Sequence, residues 1–215
     1  MAVSIIVPVY QEPNLNAFLA QFKSLKGEFE LILVTCEELN LSGNFKLLKS
    51  QKGRAVQQNC GANAARYENL WFLHADSAFQ EDSVLHIENS LLTSDVGCFE
   101  LEFDDKSWLM KVCASLSNLR VKVRNIAFGD QGIFIKKELF EKIGGFSQLP
   151  IMEDYELSLR LRKYTFKLLP AKITTSARRF HKFGVLKTIA KMQLAQLKFR
   201  LNYDIEKIAK SYNEA

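Results

Sequence analysis

A chain of 215 residues, 47% hydrophobic and 25% charged, has enough apolar content to bury a core as one domain and too much to stay disordered. Its net charge of +5, with 16 Phe lying inside apolar runs instead of alternating with Arg and Lys, suits an anionic ligand and argues against the dense basic, base-stacking face of a nucleic-acid binder. The four cysteines, Cys36, Cys60, Cys98 and Cys113, lack zinc or redox spacing, no apolar run reaches the roughly 20 residues of a bilayer span, and no basic leader precedes the first apolar run, so reduced thiols and a cytoplasmic location are expected.

Val3 to Val9 is β-branched and apolar and reads as a buried first strand, with Pro8 near its end and Pro13 suited to the start of a helix. That helix carries Leu15, Phe18, Leu19, Phe22 and Leu25 at three- and four-residue spacing and stops at Gly27. Phe29 to Thr35 predicts a second strand and Phe45 to Leu48 a short third. Gly53 opens a helix of small residues through Ala65, and Leu70 to Leu73 is a fourth strand. A helix over about Glu81 to Leu92, a strand over Val96 to Phe103, a long apolar and basic helix over Lys106 to Val123, and a strand over Gln131 to Ile135 follow. The series closes with a short helix ending at Gly144 and Gly145, a helix from Asp154 to Tyr164, a strand from Phe166 to Leu169 ahead of Pro170, and one basic helix from about Val185 onward. Strands alternate with helices without repeat or linker, which predicts a single α/β layered domain over residues 1–215 with a largely parallel mixed sheet flanked by helices: a core over about 3–185 and a helical tail over about 185–215.

Five stretches carry residues that could do chemistry. Leu70 to Asp76 is an apolar run ending abruptly in a carboxylate, and ligands of open α/β sheets bind outside the carboxyl ends of strands. Ser77 and Gln80 form a capping-box pattern, so Asp76 reads equally as the start of a helix. Glu153 and Asp154 sit at a helix start, where the helix dipole keeps a carboxylate ionised; this is either charge decoration or a general base. Gly53 and Arg54 open a helix whose free N–H groups and guanidinium would suit a phosphate, though the glycine spacing matches neither a P-loop nor a dinucleotide fingerprint. Asp130 and Gln131, between Gly129 and Gly132, either bind substrate hydroxyls or form a tight turn. Arg178, Arg179, His181 and Lys182 form a basic cluster able to neutralise a diphosphate, with His181 also a candidate metal ligand.

The order of these stretches carries more than any one of them. The first strand Ser4-Ile-Ile-Val-Pro-Val-Tyr-Gln-Glu12, then Gly53-Arg54-Ala55-Val56-Gln57, then Leu73-His74-Ala75-Asp76, then Glu153-Asp154 resembles the family 2 glycosyltransferases of GT-A fold. Phe72-Leu73-His74-Ala75-Asp76, Gly129-Asp130-Gln131-Gly132 and Pro150-Ile151-Met152-Glu153-Asp154-Tyr155-Glu156-Leu157 resemble the bacterial radical-SAM/selenodomain-associated transferase subgroup, over roughly residues 3–185. The resemblance implies inverting transfer of a sugar from a nucleotide-sugar donor to a small-molecule or lipid-linked acceptor. It implies Asp76 as the last acid of a DXD-like motif holding Mg²⁺ or Mn²⁺ on the donor diphosphate, with His74 in the place of the first acid and His181 completing the metal shell. Asp154 would be the catalytic base with Glu153 beside it. Pro8, Tyr10 and Glu12 would meet the nucleoside, Arg54, Arg178 and Arg179 the phosphates, and Asp130 and Gln131 the substrate. Where many relatives carry an acidic segment that reads the nucleotide base, this chain has Val34-Thr35-Cys36-Glu37-Glu38.

That departure motivates a competing expectation, a nucleotide-sugar-binding module without turnover. A nucleotidyltransferase is disfavoured, since Pro8 to Pro13 holds no glycine-rich phosphate loop. The tail carries Leu186, Ile189, Met192, Leu194, Leu197 and Leu201 beside Lys187, Lys191, Lys198 and Arg200, a basic amphipathic helix that either packs on its own domain or a partner subunit or lies peripherally on an anionic membrane surface.

Overall fold

Alternate side chains of the first strand go to different cores. In β1 (Ala2–Val9), Val3, Ile5, Val7 and Val9 join one buried cluster and Ile6 another. The same division holds in β2 (Glu28–Thr35), with Leu31 and Leu33 opposed to Ile32 and Val34, and in β4 (Asn69–Phe72), with Trp71 opposed to Leu70 and Phe72. A strand that pairs on both sides and is covered on both faces reads as a continuous apolar run, which is why these three were legible. The structure, a computed structural model, describes residues 2–213.

The eight-stranded sheet has the order β3-β2-β1-β4-β7-β6-β8-β5, with β3 (Lys46–Lys49), β5 (Ala78–Phe79), β6 (Val96–Phe103), β7 (Phe134–Lys136) and β8 (Phe166–Thr175). β1 pairs in parallel with β2 and β4, β2 with β3, and β6 with β8, while β7 runs antiparallel to β4 and β6, and β5 antiparallel to β8. Helices α1 (Leu15–Ala20) and α3 (Ser83–Leu91) cover one face. Helices α2 (Arg54–Asn63), α5 (Lys137–Lys142) and α6 (Glu153–Leu161) cover the other. α2 lies unusually close to β1, because a Cβ at Gly61 would stand 2.4 Å from Ile6 Cγ2. Helix α4 (Trp108–Arg124) packs on β6, and α7 (Arg178–Phe183) follows β8.

Three expectations about the elements need correction. The strand expected to stop at Leu169 continues to Thr175, because its register against β6 shifts between Phe99 and Glu100, which pair with Leu169 and Lys172. Pro170 therefore falls in a bulge, where the ladder asks for no N–H. The helix expected over about Glu81 to Leu92 runs from Ser83 to Leu91, after β5, so the alternative in which Asp76 starts it and Ser77 and Gln80 cap it is not realised. The tail is two helices, α8 (Val185–Arg200) and α9 (Ile205–Asn213), not one. Asn202 takes a left-handed φ of 56°, which Asn tolerates, and Asp204 accepts from the N–H groups of Glu206 and Lys207 to start α9. Ile208 is buried with Ile126, Phe128, Tyr155 and Ala195, so the tail forms a core with the rest of the chain.

Candidate functional site

The topology sends β1, β4, β6 and β8 in one direction, so their carboxyl ends share one edge of the sheet. That edge receives Pro8, Tyr10 and Glu12 from the end of β1, His74 and Asp76 from the end of β4, Phe103 from β6, and Thr175 and Arg179 from β8 and its continuation. The antiparallel β7 is entered from the same edge, which delivers Phe128 and Asp130, while α2 and α6 present Arg54, Glu153 and Asp154 at their first turns. Together these residues line a cavity of about 1130 Å³, at the large end of small-molecule sites.

Asp154 is fixed by its Oδ2, which accepts the N–H of Gly129 at 2.8 Å. Gly129 is required there by space: a Cβ would stand 2.6 Å from His74 Nε2 and 3.4 Å from Asp154 Oδ2. His74 is held neutral, its pKa pulled down to about 3 by burial and then by the Arg54 charge, and its Nε2 is buried without a hydrogen-bond partner among the described residues. Glu153 is buried, and Arg54 Nη1 donates to its Oε1 at 3.0 Å. Burial and the neighbouring Asp154 push the Glu153 carboxyl up, against the opposing pull of Arg54. Arg54 itself lies in the field of Glu153, Asp154 and Asp76, in that order of strength. At the other side, Arg178 Nη2 lies 3.3 Å from Glu12 Oε2 and 3.5 Å from Asp76 Oδ2, tying the two acids together.

Asp130 is the most perturbed acid of the group. Burial raises its pKa from 3.8 to about 6, Arg120 opposes that, Asp154 and Asp76 reinforce it, and its Oδ1 is buried without a partner among the described residues. A raised carboxyl pKa stabilises the fold fully only below the ordinary value and is lost as pH rises through about 6. Asp130→Asn is therefore expected to melt higher than the parent above pH 6, by up to the order of 3 kcal/mol, and to lose that advantage near pH 4. Thermal melts of both proteins across that range measure it; an advantage that does not change with pH would contradict the burial of an ionised Asp130.

Three expected site residues do not line the cavity; Arg178 reaches its rim only through Glu12 and Asp76, and Gln131 and His181 are engaged elsewhere. Gln131 is fully buried, with its Oε1 accepting from Arg120 Nη2 at 2.8 Å and its Nε2 directed to Phe99 O and Asn118 Oδ1, so it braces the turn before β7 instead of facing substrate. His181 does not line the cavity, since its Nε2 lies 3.3 Å from Asp105 Oδ2 in the loop between β6 and α4. Among the described residues no group of three His, Cys, Asp or Glu side chains could by itself hold a metal ion. In the segment after β2, Glu37 accepts the N–H of Gln11 at 3.0 Å and Glu38 pairs with Lys49. Lys52 covers the ring of Tyr10 at 4.2 Å and donates to its hydroxyl.

Several lining residues went unread in the sequence. Arg120 stacks on Phe128 at 3.9 Å, and Gln57 donates from the buried side of α2 to Val9 O and Val34 O, tying down the ends of β1 and β2. Tyr212 of α9 lines the cavity with the Arg179 guanidinium 3.9 Å over its ring. Only the helical spacing of Ile205, Ile208, Ala209 and Tyr212 after Asp204 could have signalled that the tail returns to the site.

No family model and no curated protein matches the sequence. Solved structures do match in fold. Residues 1–349 of TarS from S. aureus superpose with a TM-score of 0.64 at 16% identity, covering 89% of this chain and 66% of that one. The same protein in complex with UDP-GlcNAc gives 0.63 at 15%, covering 82% and 58%. A mannosyltransferase from Pyrobaculum calidifontis in complex with GDP-Man and Mn²⁺ gives 0.65 at 17%, covering 90% and 61%. The chain thus spans between 58% and 66% of the length of these structures. The likeness is one of architecture, and the α/β fold with its mixed sheet is GT-A-like.

Proposed function

We propose that the chain is an inverting, metal-dependent glycosyltransferase of the family 2 type that moves a sugar from a nucleotide-sugar donor to a hydroxyl acceptor, and that the radical-SAM/selenodomain-associated transferases are its subgroup. The observation that carries this reading is that Asp76 and Asp154, distant in sequence, line one cavity at the carboxyl edge of the sheet with Arg54 in the field of both. The nucleotide sugars in the similar TarS and mannosyltransferase structures support the same donor class.

In this reading Asp154 is the base. Gly129 occupies part of its Oδ2, and the remaining lone pairs accept the proton of the attacking hydroxyl. Glu153 holds Arg54 in place, and Arg54 with Arg178 and Arg179 balances the donor diphosphate. Asp76 is a partly exposed carboxylate in the cavity and suits a divalent cation as one oxygen ligand, the diphosphate oxygens supplying others, as Mg²⁺ commonly binds through one or two carboxylates plus substrate phosphates. Bound there, the metal would offset charge developing on the leaving diphosphate.

A second reading, binding without turnover, is favoured by one observation: Glu37 and Glu38, the acids after β2, are already engaged by Gln11 and Lys49. The two are separated by incubating the protein with a panel of nucleotide sugars and Mn²⁺ and measuring nucleoside diphosphate release. Release that disappears in Asp76→Ala and Asp154→Asn supports the enzyme; binding with no release across donors and acceptors supports the module.

A further inference from the structure

Helices α4 and α8 carry apolar side chains on the faces turned away from the protein. In α4, Met110, Ala114 and Val121 are buried, while Trp108, Leu116, Leu119 and Val123 follow one another on the opposite face at helical spacing. Trp108 is 76% exposed and the other three are more than half exposed. In α8, Ala195 and Gln196 point inward, and Leu186, Leu194, Leu197 and Leu201 just after it form a second outward stripe, each at least half exposed. Met110, Cys113 and Ala114 of α4 share a cluster with Val185, Ile189 and Met192 of α8, so the two helices are neighbours. The stripes also meet at the cavity, which Leu116 lines from one helix and Leu197 from the other.

The charge on these two helices is one-sided. They hold eight of the chain's 29 basic residues and none of its 24 acidic ones, so the rest of the chain is net acidic by three although the whole is +5. Arg120 is turned inward and Lys122 meets Glu100 of β6, but Lys111, Arg124, Lys187 and Arg200 are exposed on these two helices. Exposed apolar stripes on helices that carry cations and no acid, with a tryptophan beside the lysines, match an interfacial surface rather than an interior one. No helix among the described residues is long and apolar enough to cross a membrane. We infer that the α4–α8 face docks on a bilayer surface bearing anionic headgroups, with the mouth of the cavity against the membrane. A second copy of the chain is a poor occupant, because a two-fold contact through this face would set the cations of one copy against those of the other. The inference does not depend on glycosyl transfer, and its test uses neither donor nor turnover.

The full-length protein is mixed with sedimentable vesicles of phosphatidylcholine alone or with roughly one-third phosphatidylglycerol. It is expected to sediment with the anionic vesicles, at least about tenfold more than with neutral ones, and to be released as salt rises from roughly 0.05 M to 0.5 M. The chain has two tryptophans, and Trp71 is fully buried, so a blue shift of emission on binding reports Trp108. Lys111→Glu with Lys187→Glu, and separately Trp108→Ser with Leu194→Ser, are each expected to lower partitioning at least about tenfold with unchanged circular dichroism. Absence of sedimentation with anionic vesicles, equal binding to both kinds, or no shift in Trp108 emission would overturn the assignment. So would a concentration-dependent dimer dissolved by the same substitutions, which would hand the face to a second copy.

Discussion

Asp154→Asn is expected to lower nucleotide-sugar turnover by about 10²- to 10⁴-fold, the usual worth of a positioned general base, while donor affinity changes little. The substitution is isosteric, and an amide oxygen can still accept the Gly129 N–H that Asp154 Oδ2 now accepts at 2.8 Å, which keeps the turn at Gly129–Gln131 and the adjacent His74 in place. What is lost is the capacity to take a proton, together with the acceptor that Oδ1 gives the Tyr155 N–H at 2.7 Å. Diphosphate release at saturating donor measures the first quantity and calorimetric titration with donor the second. Equal losses in both would assign Asp154 to donor binding or to holding the turn, and the base would have to be sought elsewhere in the cavity.

The second large effect is on stability. Arg54→Ala leaves Glu153 buried beside Asp154 with its counter-charge gone. Breaking a buried pair costs about 3–5 kcal/mol, and the lower end applies because the Arg54 side chain is half exposed, so a loss of about 3 kcal/mol, or roughly 6–12 °C in Tm, is expected. The loss has a sign in pH. Without Arg54 the Glu153 carboxyl is raised further, so the deficit is largest at neutral pH and fades as pH falls towards the ordinary value of 4.5, where the unfolded carboxyl protonates as well. Adding Glu153→Gln to Arg54→Ala removes the stranded charge and should restore most of the lost stability, leaving weak donor binding as the residual defect. A double variant as unstable as Arg54→Ala alone would show that Arg54 acts through packing and not through Glu153.

The parts of this fold that could be read from sequence are those whose burial is symmetrical. β1, β2 and β4 are apolar on both faces, so their residues announce a strand without any knowledge of partners. β5 is two residues long and exists only because Ala78 and Phe79 meet Thr174 and Ile173 of β8. Pro170 reads as a strand stop, and only the pairing with β6 reveals a bulge. The same limit applies to side chains. Arg54 looked like a free phosphate ligand, yet its guanidinium meets a carboxylate 99 residues away. Gln131 looked like a hydroxyl reader because it lies between glycines, but its polarity is spent on Arg120 and Asn118 in the interior. His181 looked like a metal ligand by its place after the last strand, and the residue that claims it, Asp105, belongs to a loop with no motif. Asp76, Glu153 and Asp154 stood out in sequence only by position, since a helix start favours acids through its dipole; it is the fold that brings all three to one cavity.

Asp76 and Asp154 are proposed to belong to one nucleotide-sugar site. Crystals grown with a nucleoside diphosphate and Mn²⁺, measured at a wavelength where manganese scatters anomalously, address it directly. The expected result is a manganese peak coordinated by Asp76 and by diphosphate oxygens, with the nucleoside against Tyr10 and Glu12 and the cavity beside Asp154 left open for sugar and acceptor. A diphosphate bound away from this edge of the sheet, or manganese held by residues other than Asp76, would contradict it.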